Sequence, residues 1–333
     1  MQYVSLERGI VRGGPFALAK KPEEPRAVEV TVPTCIDLLT LDSSSRFSPN
    51  PGGGGVGLAI DERISMTIAP SDAWNVHNAD AKAVEHLGRC IMSTIGRLGG
   101  FRVDVKGDRS AAQLLSAEEL LTGFAAGVNA SFGRPLNQHD LRRLVSYNLG
   151  TTEGDGCRLV PNSGVRIAGA LFGGFTVLTE GHEIICRATL PTEGTLFVVS
   201  PIVEPSPLDI ERVLQMERKD KDKKASEVLL KLIPAAIRCD WAKVGDSVYR
   251  LQLLGSKVAE IRRFDGGEGT YRLLSMLRSK GCAIEGVHAD TGTILAFSDL
   301  DHIDDCLRLV EELGFTSSLV TADAAGAKVT VKN

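Results

Sequence analysis

The segment Asn50–Ile60, NPGGGGVGLAI, carries the strongest local signal in the chain. Its four successive glycines leave the backbone free of side chains, so that several amides can turn toward one point and bind an anion. The apolar residues 56–60 that follow predict a strand. Glycine runs also occur in flexible hairpin connections. The segment therefore predicts either a phosphate cradle or a flexible connection, placed directly before a strand.

Similar apolar runs elsewhere in the chain indicate further strands. Short runs rich in β-branched residues and bounded by glycine or proline are typical of strands. In the first 110 residues they cover 27–32, 56–60, 64–68 and 101–105. Farther along they cover 170–177, 183–190, 195–202, 294–297 and 316–320.

Two helices in the first half have clear boundary signals. Residues 79–98 place apolar side chains at spacings of three and four, and Gly99 is the expected stop. A second helix begins at Ser116, where a capping box with Glu119 is predicted, and ends near Gly133.

The later part of the chain is richer in helical patterns. A third helix is expected to start at Asn137, and a long loop then covers residues 149–164. The charged run 217–224, ERKDKDKK, nearly cancels its own charge and is interpreted as a solvated linker, with phosphate steering as the alternative. A last helix is expected over residues 300–313. A strand-rich half followed by a helix-rich half predicts an α+β chain.

Composition narrows the class of partner. A length of 333 residues predicts about two domains, and 43% apolar with 24% charged residues is typical of a globular protein. The formal charge of -4 provides no bulk positive field for nucleic acid or anionic lipid, and no apolar run is long enough for a membrane span. Seven cysteines without a CxxC pair predict reduced thiols. We therefore expect a cytoplasmic protein with a small-molecule partner.

Three segments together resemble a known family. Residues 33–68 begin with PTCIDLLTLD and continue into the glycine run; residues 163–177 read SGVRIAGALFGGFTV; residues 286–298 hold a glycine-bearing turn that enters a strand. These segments resemble beta-ribofuranosylaminobenzene 5'-phosphate synthases, which are members of the GHMP kinase superfamily. The likeness spans most of the chain from about residue 33.

The resemblance implies a GHMP-type two-domain α+β fold. Its amino-terminal domain would be ribosomal protein S5-like and its carboxy-terminal domain ferredoxin-like, with the ligand in the cleft between them. On this basis residues 1–32 are an extension, residues 33–190 form the first domain and residues 191–333 form the second.

The resemblance also implies an activity. Such a synthase joins the ribose 5-phosphate unit of phosphoribosyl pyrophosphate to an aromatic acid, 4-hydroxybenzoate or 4-aminobenzoate, and releases pyrophosphate and CO₂ in tetrahydromethanopterin biosynthesis. The expected partners are therefore these two substrates, with Mg²⁺ as cofactor and a homodimer as the candidate assembly. An ATP-dependent small-molecule kinase of the same superfamily and a non-catalytic ligand-binding or partner-binding homologue remain the alternatives.

The chain departs from the superfamily pattern at two places. Where the kinases carry a Gly-Leu-Gly-Ser-Ser loop around ATP phosphates, residues 113–117 read QLLSA, and Glu118 and Glu119 add negative charge. This disfavours ATP binding in the kinase manner. Arg166 stands where the family usually has glycine, so it would either fork two oxygens of an anion or form a surface ion pair.

These observations and the resemblance together define a candidate site. His288 and Asp290 are the candidate catalytic residues, although a lone histidine on a turn is more often structural. Glu153 and Asp155 would hold Mg²⁺ against a diphosphate, or would simply be solvated loop acids. The candidate substrate and phosphate ligands are Arg46, Gly52, Gly53, Gly54, Gly55, Ser163, Gly164, Arg166, Thr291, Gly292 and Thr293.

Overall fold

The computed structural model gives the chain 14 strands, ten α-helices and one π-helical segment, Val228–Leu232, within its described residues. The described residues are 5–7, 9–42, 52–106, 116–179, 181, 183–189, 195–200, 206–207, 209–263, 268–281, 283–287, 294–298 and 301–332. The strands are β1 Ser5–Leu6, β2 Val28–Thr40, β3 Gly55–Ser71, β4 Asn75–His77, β5 Gly100–Lys106, β6 Gly150–Glu153, β7 Gly156–Leu159, β8 Phe175–Leu178, β9 Ile184–Ala188, β10 Thr195–Ser200, β11 Ala283–Val287, β12 Ile294–Ser298, β13 Thr316–Val320 and β14 Lys328–Val331. The helices are α1 Ala81–Ile95, α2 Ala117–Ser131, α3 Gln138–Asn148, α4 Val165–Phe172, α5 Ile210–Glu227, α6 Ile233–Ile237, α7 Trp241–Leu251, α8 Ser256–Ile261, α9 Glu268–Ser279 and α10 Ile303–Glu312.

The largest sheet has seven strands and carries the glycine segment. Its main path runs β14-β2-β3-β5-β4, and β8 pairs with the first residues of β3 and with β9. The sequence divides β3 into two runs at Asp61–Arg63, but the strand continues through them, and its register against β2 shifts between Pro33 and Thr34. Because the bulge absorbs the break in apolar alternation, the two predicted strands are one.

Helices α1, α2 and α3 form one layer against this sheet. Val30, Ile68, Leu87 and Phe124 belong to a single buried cluster that joins β2, β3, α1 and α2. The capping box predicted at Ser116 is confirmed, and Asn137 caps α3 as expected. The helix α1 ends three residues earlier than predicted, because Gly96, with φ 68°, adopts the left-handed C-cap conformation.

The second sheet has the ferredoxin-like arrangement that the resemblance implies. Strands β10 to β13 lie in the order β11-β12-β10-β13, and all the neighbouring pairs are antiparallel. Helices α5 to α9 connect β10 to β11, and α10 connects β12 to β13. The strand order and the two helical crossovers are those of a split βαβ fold.

Two parts of the sequence-based prediction are wrong. Residues 217–224 lie inside α5 and not in a linker, because Glu217 and Lys224, two turns apart on one face, form a buried ion pair. Residues 170–172 continue α4, and the predicted strand starts only at Phe175. The expected loop 149–164 also contains the hairpin of β6 and β7.

The two halves of the chain share elements and core. The predicted boundary, residues 190–191, lies outside the described residues. Strand β14 returns from the carboxy-terminal half to pair with β2. One buried cluster joins Ile36 of β2 and Leu58 of β3 to Leu232 and Val248 of the second half.

The sequence predicts that the cysteines are reduced and that no segment spans a membrane. Cys35, Cys90, Cys157, Cys186 and Cys239 are free thiols. Cys306 is disulfide-bonded, so the expectation of reduced thiols throughout is wrong, since a count of cysteines cannot show which of them meet in space. Among the described residues, every helix is too short or too polar to cross a membrane.

Candidate functional site

The glycine segment is buried and ordered by its neighbours. All of Gly52 to Gly55 are buried, and Gly53 and Gly54 have φ values of 93° and 57°. Their carbonyl oxygens accept hydrogen bonds from Asp42 and Leu41 at 2.9 and 3.1 Å. Positive φ values of this kind are strained in residues with a Cβ atom. Residues 52–55 are therefore packed against their neighbours at the entry into β3.

Close packing explains the glycines that follow. A Cβ atom on Gly55 would lie 2.4 Å from the carbonyl oxygen of Leu39 and 2.7 Å from Cγ2 of Val165. On Gly57 it would lie 2.1 Å from Cγ1 of Val165. The first residue of α4 thus rests directly on the backbone of β3. Because both contacts involve α4, the glycines fix how closely the Ser163–Gly164 turn approaches the strand.

The Ser163–Gly164 turn brings a hydroxyl and a carboxylate together. Ser163 Oγ donates to Asp37 Oδ2 at 3.1 Å and accepts from the amide of Val165 at 3.4 Å. Gly164, with φ 78°, is the N-cap of α4. Asp37 Oδ1 is buried and has no hydrogen-bond partner among the described residues. This turn is also joined to the glycine segment, since the Gly52 amide donates to the Asn162 carbonyl oxygen at 3.2 Å.

Arg166, three residues after Ser163, belongs to a buried group of charges. Its Nε lies 3.5 Å from Glu118 Oε2, and its Nη1 lies 3.5 Å from Glu119 Oε1. The ion pair predicted as the alternative for Arg166 is present, but it is buried and not at the surface, since the Arg166 side chain is only 7% exposed. The guanidinium neutralises two acids, and its capacity to bind an external anion is reduced accordingly.

Among these buried charges, Glu118 has a pKa close to neutral pH. Burial raises the pKa of Glu118 to about 7, with Glu119 and Asp37 acting in the same direction and Arg166 opposing them. A carboxyl group with a pKa near neutrality can both give and accept a proton at physiological pH. Its neighbour Glu119 is held in place, because its carboxylate accepts from the amides of Cys35 and Ser116 at 3.1 and 3.0 Å.

The amino terminus of α2 is consequently filled by the protein's own groups. Ser116 caps the helix, and Glu118 and Glu119 occupy its first turn. A helix amino terminus favours negative charge, and here two carboxylates already supply it. Residues 113–115 of the altered kinase loop lie outside the described residues.

The two acids predicted to hold Mg²⁺ lie on the β6–β7 hairpin. Glu153 pairs with Arg158 at 3.4 Å, and Asp155 lies 3.8 Å from Lys82. Asp155 also lines a cavity of about 160 Å³ with Lys82, His86 and Cys157, and neither Asp37 nor Ser163 belongs to its lining. Among the described residues no group of three or more acidic, histidine or cysteine side chains can hold a metal ion. The hairpin acids therefore do not fit a metal site next to Ser163.

The structure thus brings together some of the residues that the sequence predicts for the site. It brings Gly52, Gly53, Gly54 and Gly55 together with Ser163, Gly164 and Arg166. The remaining candidates lie outside the described residues: Arg46, His288, Asp290, Thr291, Gly292 and Thr293.

Sequence reasoning missed Asp37 and Glu118 as functional candidates. Asp37 reads as an ordinary exposed strand position, and Glu118 reads only as a charge unfavourable to ATP. The available signal was the pair of acids directly after the Ser116 cap. What the sequence could not show is that Arg166 and Asp37 come within range of that pair.

Comparison with known proteins identifies the class of fold. No protein-family model and no curated protein sequence matches the chain. Solved structures do match: homoserine kinase from Cytophaga hutchinsonii ATCC 33406 has a TM-score of 0.64 at 14% identity, covering 96% of this chain and 100% of that one. Such neighbours are members of the GHMP kinase superfamily, and the chain has the GHMP-type fold.

Two further neighbours carry different activities on this fold. Mevalonate diphosphate decarboxylase from Enterococcus faecalis has a TM-score of 0.65 at 14% identity, covering 92% of this chain and 99% of that one. Mevalonate-3-kinase from Thermoplasma acidophilum has a TM-score of 0.66 at 14% identity, covering 93% and 99%. Another solved neighbour is in complex with MVAPP, AMPPCP and magnesium. At these identities the likeness shows the fold, and the activity has to be argued from the site.

Proposed function

We propose that the chain is a phosphoribosyltransferase-type synthase. It would join the ribose 5-phosphate of phosphoribosyl pyrophosphate to 4-hydroxybenzoate or 4-aminobenzoate and release pyrophosphate and CO₂. In this reaction a carbon–carbon bond to ribose C1 forms, while the bond from C1 to the diphosphate and the bond from the ring to its carboxylate break. The resemblance of residues 33–68, 163–177 and 286–298 supports this assignment.

The observation that carries the proposal is the acidic amino terminus of α2. In the superfamily's kinases the corresponding glycine-rich loop wraps ATP phosphates, which requires open amides and no adjacent negative charge. Here Ser116, Glu118 and Glu119 fill that position and Arg166 neutralises them. A reaction that uses a sugar diphosphate and no ATP is consistent with this replacement.

The buried charges around Ser163 suggest roles in that reaction. The amides at the start of α4 would orient the sugar phosphate, since amide donors at a helix amino terminus suit phosphate oxygens. Glu118, with its pKa of about 7, would accept the proton of the acceptor's hydroxyl or amino group as electron density moves into the ring, and would return it afterwards. The Ser163–Asp37 hydrogen bond would fix the geometry.

Mg²⁺ remains part of the proposal as a companion of the diphosphate. Protein sites for Mg²⁺ often use only one or two carboxylates together with substrate phosphates. Glu153 and Asp155 do not fit this role, because Glu153 pairs with Arg158 of the same hairpin and Asp155 lies near Lys82 of α1. We therefore derive no step through the metal.

Ligand binding tests the proposal first. Isothermal titration with phosphoribosyl pyrophosphate plus Mg²⁺ should show binding, and ATP plus Mg²⁺ should show none. Binding of ATP alone would favour the kinase, which the structural neighbours keep as the second candidate. Absence of binding by either ligand would favour a non-catalytic homologue.

Chemistry is tested with a carboxyl-labelled acceptor. The wild-type chain should release labelled CO₂ from 4-hydroxybenzoate or 4-aminobenzoate only when phosphoribosyl pyrophosphate is present. Glu118→Gln should bind phosphoribosyl pyrophosphate but release CO₂ at least ~100-fold more slowly, the usual size of a lost acid–base group. Glu312→Gln, on an exposed position of α10, is the matched control. Equal rates in both variants would refute the role of Glu118.

A further inference from the structure

A buried ion pair on α5 contacts the end of β2. Lys224 and Glu217 are 1% and 5% exposed, and Lys224 Nζ lies 2.5 Å from Glu217 Oε1. Lys224 Nζ also donates to the Thr40 carbonyl oxygen at 2.9 Å. Thr40 is the last residue of β2 and pairs with Gly55, the first residue of β3. The ammonium group of Lys224 therefore holds the strand that lies beside the glycine segment.

Thr40 leads directly into the backbone that holds Gly53 and Gly54. The amides of Leu41 and Asp42 donate to the carbonyl oxygens of Gly54 and Gly53 at 3.1 and 2.9 Å. The amides of Gly53 and Gly54 themselves have no hydrogen-bond acceptor among the described residues. Two such donors can bind an oxyanion of the proposed phosphorylated substrate. Because the end of β2 holds both carbonyl oxygens, the direction of the two glycine amides depends on where that end lies.

The turn before α8 packs on the same ion pair. The Ser256 amide donates to Glu217 Oε2 at 3.1 Å, and the Gly255 amide donates to Asp220 Oδ2 at 3.2 Å. Gly255 has a φ of 58°, and a Cβ atom there would lie 2.9 Å from Glu217 Oε2 and 3.0 Å from Lys224 Cδ. The turn therefore fits closely over the pair and limits the movement of both side chains.

Stability alone does not account for this buried pair. Removing two charges from water costs free energy, and a buried ion pair is often no more stabilising than apolar residues of the same size. Lys231 and Glu227 form the next pair along the same helical run, 2.7 Å apart, and there the lysine side chain is 51% exposed. Among the described residues Lys231 Nζ donates to Glu227 alone. The contact with the backbone of β2 thus distinguishes Lys224 from a lysine of ordinary helix pairing.

We propose that Lys224 is a positioning residue for the substrate's oxyanion: through the Thr40 carbonyl oxygen it fixes the end of β2, and thereby the direction of the Gly53–Gly54 amides. This inference rests on the proposed function only in naming a phosphorylated substrate. It also implies that binding at the glycine amides is transmitted through Glu217 to the turn before α8. Neither the motifs nor the resemblance assigns a role to α5, whose charged run reads as a linker in the sequence.

Titration calorimetry with pyrophosphate and with phosphoribosyl pyrophosphate tests the role of Lys224. The proteins are the full-length wild type, Lys224→Met, Glu217→Gln/Lys224→Met and, as matched control, Glu227→Gln/Lys231→Met. All titrations are run below the melting temperature of every variant. We expect Kd for both ligands to rise ~10-fold or more in the two Lys224 variants, because both lack the charged donor to Thr40 and such a hydrogen bond is worth about that factor. The control should bind as the wild type does.

The double variant separates positioning from stability. Lys224→Met leaves the Glu217 carboxylate buried without its partner and should melt at a lower temperature. Glu217→Gln/Lys224→Met removes both charges and keeps an oxygen for the Ser256 amide, so its melting temperature should return toward that of the wild type. Weak pyrophosphate binding by this stable double variant supports the proposal. Wild-type affinity in the double variant, or no binding of either ligand by the wild type, would overturn it.

Amide hydrogen exchange of the wild type gives a measurement that needs no variant. Pyrophosphate should slow exchange at Leu41 and Asp42, beside the glycines, and also at Gly255 and Ser256 before α8, because the ion pair joins the two places. Protection at Leu41 and Asp42 alone would overturn the proposal, whatever the stability of the variants.

The test also separates this inference from the proposed reaction. Pyrophosphate binding that depends on Lys224, together with no CO₂ release from any acceptor, would refute the synthase and retain the positioning role. CO₂ release by the wild type, together with unchanged affinity for both ligands in Glu217→Gln/Lys224→Met, would retain the synthase and refute the role of Lys224.

Discussion

Substitution of Gly57 by alanine tests whether close packing of α4 on β3 holds the site together. The new Cβ atom would lie 2.1 Å from Cγ1 of Val165 and 3.2 Å from Sγ of Cys35. Carbon atoms in contact prefer about 3.5–4.0 Å, so the shortfall against Val165 is about 1.4 Å or more. Val165 is fully buried and β-branched, and its side chain therefore has little freedom to rotate away. Either α4 or β3 must move.

The expected cost follows from overpacking. Inserting a methyl group into a packed core costs about 1–3 kcal/mol, and a Gly→Ala change returns about 0.4–1 kcal/mol through the unfolded chain. We expect a net loss of about 1–2 kcal/mol, which for a chain of 333 residues corresponds to a decrease in Tm of roughly 1–3 °C. Gly269→Ala is the matched control, since its Cβ atom would meet nothing within 4 Å. Thermal and urea unfolding measure both variants.

A double substitution identifies the contact responsible. Val165→Ala alone removes buried methyl groups and should destabilise, whereas in Gly57→Ala/Val165→Ala the new methyl group occupies the vacated space. The coupling between the two substitutions should be favourable by about 0.5–3 kcal/mol. Gly57→Ala should also weaken pyrophosphate binding, because α4 carries the Ser163 turn. Additive losses, or a Gly57→Ala protein as stable as the Gly269→Ala control, would refute the packing argument.

Three further predictions concern charge and accessibility. The pKa of Glu118 is raised in the folded protein to about 7, so the folded state binds more protons than the unfolded state. Stability should therefore fall as the pH rises from about 4.5 through 7. Glu118→Gln should flatten this part of a Tm-against-pH curve, and an unchanged slope would contradict the raised pKa. Lys224→Met leaves Glu217 buried without its partner and should cost about 3–5 kcal/mol in urea unfolding, whereas the exposed neighbour Lys223→Met should cost little; similar losses in both would contradict the buried ion pair. Cys239 is the exposed residue among the five free cysteines and should react first with a thiol reagent under native conditions. Mass spectrometry of the labelled chain measures the order of reaction. Earlier labelling of Cys35, Cys90, Cys157 or Cys186 would contradict the burial of that residue.

Local signals in the sequence were sufficient for much of the fold. Ser116 was correctly predicted as a helix cap and Asn137 as the place where the next helix begins, because such signals need only residues within one turn. The apolar pattern predicted a strand from residue 170, whereas residues 165–172 form the helix α4. Periodicity failed there because α4 is buried on nearly all its sides, and a fully buried helix has no polar face to reveal its period.

The candidate site was less accessible to the sequence because it depends on distant pairs. The glycine run and the Ser163 turn were visible as motifs, but the close contacts of Gly55 with Leu39 and Val165 join residues that are distant in the chain. Likewise, the alternatives for Arg166 depended on Glu118, which is 48 residues away in the chain and adjacent in space. Long-range charge pairing leaves no pattern within a short window of sequence.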